Sequence, residues 1–181
     1  MPIKQSMYQP GTSSHIVQRG NDRKLCFFED ENYLFFLGCL ENAIRRYQVA
    51  VHAYVLMTNH IHLLMTPSTE SGISRVMQLV GNRYVQYINK KYGRTGTLWE
   101  GRHKASLVDA QWYLHTCYRY IEMNPIRAGM VGHPGHYRWS SYRHHAGVSR
   151  SSIIEDHEIF QRLAPTTSQR ILYYQSLFHS S

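Results

Sequence analysis

Residues 49–67 read V-A-V-H-A-Y-V-L-M-T-N-H-I-H-L-L-M-T-P, and the fold turns on them. From Val49 to Met57, the residues Val49, Val51, Ala53, Val55 and Met57 alternate with their neighbours, which is the period of a strand with one buried face. Thr58 and Asn59 supply a tight turn, and His60 to Thr66 forms a second strand, so the spacing predicts a hairpin. His60 and His62 open that second strand, where imidazole is an unusual choice for a core. On a strand, residues i and i+2 share a face, which brings the two rings close enough to share one metal ion.

The flanking segments fix the class. Upstream, a short strand begins at His15 to Gln18, and R-G-N-D-R, Arg19 to Arg23, has the content of a charged turn. A helix is expected from Asp30 to Tyr47, capped by Asp30, with Tyr33, Leu34, Leu37, Leu40, Ile44 and Tyr47 at helical spacing. Downstream, Pro67 to Gly72 reads as a loop. Ile73 to Tyr92 reads as a helix with Val76, Leu79, Val80, Val85 and Ile88 on one stripe. Lys91 to Lys104 is a basic, glycine-rich segment around Trp99, and Ala105 to Val108 a brief strand. A third helix runs from about Ala110 to Met123, capped by Asp109 and stopped by Pro125. This order predicts an α+β fold, a ferredoxin-like or RRM-like antiparallel sheet covered by helices. Residues 1–145 are expected to form the main domain and 146–181 a partly helical C-terminal extension.

Composition limits the function. The chain has 181 residues with 20 Lys plus Arg against 12 Asp plus Glu, a formal charge of +8, which favours a polyanionic partner. Fourteen tyrosines suit either core packing or the stacking of unpaired bases. Three cysteines without C-x-x-C spacing argue against a disulfide framework and a cysteine-rich zinc site. No apolar run reaches the length of a membrane helix and Met1 to Gln9 lacks a signal-peptide core, so the cytoplasm is the expected location.

An H-x-H pair alone carries little weight, since 12 histidines in 181 residues give about 0.8 such pairs by chance. Its significance depends on what accompanies it. In Tyr113 to Val131, Y-L-H-T-C-Y-R-Y-I-E-M-N-P-I-R-A-G-M-V, Tyr120 and Asn124 are four apart and share a helix face. They read equally as a packing residue and a helix terminator before proline, or as a nucleophile and an oxygen ligand. With Arg119, Arg127 and the histidine pair, the second reading assembles the parts for phosphodiester chemistry. Tyr113 and Tyr118 are the competing nucleophiles. Tyr113 lies two turns from Tyr120, and Tyr118 points elsewhere because two residues rotate a helix by about 200°.

Five segments together resemble the single-tyrosine HUH transposases, and within them the REP-associated tyrosine transposases. They are R-G-N-D-R at 19–23, A-Y-V-L-M-T-N-H-I-H-L-L-M-T-P at 53–67, L-W-E-G-R at 98–102, R-Y-I-E-M-N-P-I-R-A-G-M-V at 119–131 and W-S-S-Y at 139–142. The resemblance implies a bacterial endonuclease that cleaves and rejoins single-stranded, hairpin-associated DNA through a 5′-phosphotyrosine. Tyr120 would be the nucleophile, with His60, His62 and Asn124 as ligands of Mg²⁺ or Mn²⁺. Arg19, Arg23, Arg83, Arg94, Arg102, Lys104 and Arg127 are the candidate DNA contacts. The branch points to a monomer, with a homodimer that exchanges the tyrosine helix as the alternative. A silent binder of hairpin DNA or RNA and a phosphodiesterase using water are the competing functions.

Overall fold

The computed structural model describes residues 8–108 and 111–179. Four strands, β1 (Ser13–Arg19), β2 (Val49–Leu56), β3 (His60–Pro67) and β4 (Lys104–Val108), form one sheet in the order β2-β3-β1-β4. Every pairing is antiparallel. Helices α1 (Asp30–Tyr47) and α2 (Gly72–Tyr92) pack side by side over one face, and α3 (Gln111–Glu122) packs on β2 and β3 from the other. This is the ferredoxin-like α+β arrangement expected from the order of elements.

Helix α1 forms where its apolar period predicts, but its start is set differently. The N-cap is Glu29, and the Asn32 Oδ1 accepts from the Phe28 N–H at 2.8 Å and the Glu29 N–H at 3.2 Å, so Asp30 is the first helical residue and not the cap. Tyr33, Phe36, Leu40, Ala43 and Ile44 are buried, while Leu34 is exposed. The stripe is therefore turned towards Phe36. Asp109 and Ala110 at the start of the third helix lie outside the described residues, as does the side chain of Tyr113.

Two further expectations are corrected. The alternation of β2 does not keep Val49 to Met57 on one face. Val51 pairs with Met65 but Ala53 with Leu64, a bulge at His52 that moves Ala53 and Val55 to the face of His62. Nor does Pro125 end the helical path. It sits in the first turn of α4 (Asn124–Arg127), where its missing N–H has no partner to lose.

The C-terminal half closes the sheet edge. The Trp139 carbonyl accepts from the Leu56 N–H at 2.8 Å, the Ser141 hydroxyl accepts from the Tyr54 N–H at 2.9 Å, and Ile154 bridges Val51. These contacts occupy the backbone groups that β2 would otherwise present as an open edge. Beyond them lie α5 (Tyr142–His145), α6 (Glu158–Gln161) and α7 (Thr167–Ser176). Among the described residues no helix is long and apolar enough to cross a membrane.

Candidate active site

The register places the histidines. His60 pairs with Arg19 and His62 with Val17, while Lys104 pairs with Val17 from the other side. Directly paired residues point to the same face, so Arg19, His60, His62 and Lys104 share the face that carries α3. Helix α3 then brings Tyr120 across this face. Its ring centre lies 5.8 Å from that of His62 and 5.9 Å from that of His15, edge-on to both. On the Arg127 side, that guanidinium stacks 4.2 Å from the Tyr120 ring centre and donates to the Tyr120 carbonyl. Tyr120 is 48% exposed, which leaves it open to a large substrate.

Burial sets the charge of the imidazoles. His62 is buried and is pushed down to about 3 by desolvation, with His15, His60, Arg19 and Arg127 acting in the same sense. His60 is also lowered, first by burial and then by Arg19, with an Asn124 hydrogen bond opposing. Both rings are therefore neutral at pH 7, the form that ligates metal. Each has one nitrogen already held. The Nδ1 of His60 lies 2.7 Å from Asn59 Oδ1, and the Nδ1 of His62 lies 2.9 Å from His15 Nε2. The Nε2 atoms fall outside these two bonds.

Asn124 completes the arrangement. It is buried, its carboxamide interacts with His60, and its Nδ2 is a buried donor without a hydrogen-bond partner. Among the described residues no group of three or more His, Cys, Asp or Glu could hold a metal ion. A cation here would need an amide oxygen besides the histidines. Two neutral imidazoles and a carboxamide, already turned towards one of them, fit a divalent cation with positions left for water and substrate oxygen.

The other tyrosine is separated by packing. Tyr118 is fully buried against His145, Phe160 and Tyr174, on the opposite side of α3. The expected basic residues divide as well. Arg19, Lys104 and Arg127 lie on the histidine face, and the Arg23 carbonyl accepts from the Asn59 side chain at 3.3 Å, which puts that turn beside His60. Arg102 is exposed next to His103. Arg94 donates to Asn89 at 3.1 Å, at the end of α2 near Cys26. Arg83 lies near Cys39 on the layer of α1 and α2, behind the sheet, and is not brought to the site. Arg119 donates to the Leu177 carbonyl at 2.9 Å, and Trp99 is a core residue near Phe36 and Tyr84.

Sequence reasoning missed His15, Asn59 and Glu122. His15 and Asn59 hold the two histidines, and only strand register brings His15 to His62. Glu122 is fully buried on α3 between Tyr120 and Asn124. Its carboxylate accepts from Ser141 at 2.5 Å, His145 Nδ1 at 2.7 Å and the Tyr174 hydroxyl. The charge of a Glu in a sequence ordinarily signals a surface position.

A family model described as IS200-like transposase matches residues 9–124. No curated protein matches the chain. Among solved structures, a REP-associated tyrosine transposase bound to a REP hairpin is similar over 87% of this chain and 99% of its own, at a TM-score of 0.67 and 16% identity. A Deinococcus radiodurans protein assigned provisionally as a transposase gives a TM-score of 0.46 at 17% identity, covering 66% of this chain and 96% of its own. A bacterial tRNA(His) guanylyltransferase-like protein in complex with ATP gives 0.43 at 9% identity, covering 67% and 62%.

Proposed function

We propose that this chain, which belongs to the IS200-like transposase family, cleaves and rejoins single-stranded DNA beside a hairpin by a covalent tyrosine route. The observation that carries this is the meeting of Tyr120 with the histidine face: α3 holds the phenol ring 5.8 Å from His62. The fold shared with a hairpin-bound transposase supports the choice of substrate, and the basic groups Arg19, Lys104 and Arg127 around the site support a phosphate backbone.

In this proposal His60, His62 and Asn124 hold Mg²⁺ or Mn²⁺. The cation, when bound, supplies Lewis-acid polarisation of the scissile phosphate. Arg127, stacked on the Tyr120 ring, orients the nucleophile and offers positive charge where phosphate oxygens gather. The Tyr120 oxygen attacks phosphorus and gives up its proton. The bond from phosphorus to the 3′-oxygen breaks, and that oxygen leaves as a protonated hydroxyl. The product is a 5′-phosphotyrosine, which conserves the phosphodiester energy so that a 3′-hydroxyl can attack later and restore free Tyr120. Half-exposure of Tyr120 suits this, because both the incoming and the departing strand need access.

Incubating the protein with single-stranded hairpins and Mn²⁺ or Mg²⁺ tests the proposal. A DNA adduct that survives denaturation is expected, and Tyr120→Phe should abolish it with hairpin binding retained. Cleaved products without an adduct would favour a water-using phosphodiesterase. Hairpin binding with neither cleavage nor adduct would favour the silent binder.

A further inference from the structure

We infer that His15 is a positioning residue: it accepts a hydrogen bond from the Nδ1–H of His62 and so directs the His62 Nε2 lone pair into the site. The inference rests on the proposed metal-holding role of His60, His62 and Asn124, and adds to it a residue outside the H-x-H motif. The two rings come from different strands. His15 on β1 pairs with Leu64, and Val17 pairs with His62, so His15 lies diagonal to His62 across the β1–β3 pair on the same face. Their rings stack at 5.1 Å between centres with 25° between planes, and Nε2 of His15 stands 2.9 Å from Nδ1 of His62.

That distance calls for a single proton between the two nitrogens. If His15 donated it, His62 would carry its own proton on Nε2, the nitrogen facing away from the contact, and the lone pair would be spent on His15. If His62 donates, Nε2 is left basic and aimed by the bond. His60 is held in a parallel way, since its Nδ1 lies 2.7 Å from Asn59 Oδ1, an oxygen that only accepts. The two histidines thus share one feature, an acceptor on Nδ1, with the Nε2 of His60 on the Asn124 side, and outer partners of this kind fix both tautomer and ring orientation. His15 also meets the Tyr120 ring at 5.9 Å, so one side chain touches the holder of the cation and the nucleophile together.

Two measurements on the full chain test this. Imidazole ¹⁵N spectra of the metal-free protein should show His62 protonated on Nδ1, and His15→Leu should convert it to a mixture of tautomers. Mn²⁺ titration by calorimetry should show affinity falling about 10- to 100-fold in His15→Leu. His15→Gln, whose amide oxygen can accept the same bond, should recover most of the loss, while hairpin affinity without metal stays within about twofold of wild type. His62 protonated on Nε2 in the wild type, or His15→Leu binding Mn²⁺ like wild type while His62→Ala does not, would overturn the inference alone. Unchanged Mn²⁺ affinity in His62→Ala would instead remove the metal site, and this inference with it.

Discussion

Replacing Tyr174 with Phe deletes one oxygen from the interior and should destabilise the protein well beyond what one atom suggests. Tyr174 on α7 is 1% exposed, and its hydroxyl donates to Glu122, which is 0% exposed. Glu122 has Ser141 and His145 as its other partners, so the carboxylate on α3 is satisfied wholly by the C-terminal part of the chain. Without the phenol oxygen, one carboxylate oxygen loses its donor inside the core. Hydrogen bonds to charged groups contribute about 1.5–3 kcal/mol, and a loss of about 2 kcal/mol should lower Tm by about 4–8 °C in a chain of this size. Glu122→Ala should cost more, about 3–5 kcal/mol, because it strands buried donors and opens a cavity. Urea unfolding followed by circular dichroism measures both. A Tyr174→Phe protein within 0.5 kcal/mol of wild type would refute the premise that α7 secures the tyrosine helix through Glu122.

Acid should destabilise the fold. Burial pushes His52 down to about 4, below the 6.5 of an exposed imidazole, so the unfolded chain binds the proton more readily. The stabilisation is full above pH 6.5 and is lost as pH falls towards 4, with about 2 kcal/mol gone at pH 5 and His62 acting in the same direction; urea midpoints that stay level from pH 7.5 to 5 in the presence of chelator would contradict this. Gly20→Ala should lower Tm by several degrees, because an added Cβ would stand 2.3 Å from the Lys24 carbonyl oxygen and 2.6 Å from Cys26 Sγ. A wild-type melt in that variant would show that the turn against Asn59 has room. Arg19→Ala and Lys104→Ala should each reduce the slope of log affinity against log salt by about 0.7 with single-stranded DNA, whereas Arg83→Ala, behind the sheet, should leave it unchanged. Anisotropy titrations over a range of salt compare the three, and an equal effect of Arg83→Ala would move the DNA path to the helical layer.

The parts of the fold that were legible are those written in local periodicity. The hairpin could be read because alternation, a short turn and renewed alternation all lie within residues 49–67, and α1 because its apolar residues recur every three or four positions. The bulge at His52 was hidden because an inserted residue leaves a run of small and β-branched side chains looking regular. Pro125 misled because a proline that would break a helix interior is well placed in a first turn. For the candidate site, spacing puts Tyr120 and Asn124 on one helix face without choosing their roles, which come from the resemblance carried by the five segments, and the fold brings Tyr120 to His62 and Asn124 to His60. The contact of His15 with His62 depends on strand register, and that of Glu122 with Tyr174 joins residues 52 apart in the chain. Neither leaves a local signal. Arg83 shows the complementary limit, since charge reveals a basic residue but not which side of the sheet its helix covers.

The central claim is that Tyr120 becomes bonded to DNA. Digesting the protein after reaction with a hairpin substrate, trimming the DNA and mapping the modified peptide by tandem mass spectrometry measures this directly. A 5′-linked nucleotide on Tyr120 is the predicted result, and a modification on Tyr113 or Tyr118, or cleavage with no modified tyrosine, would contradict it.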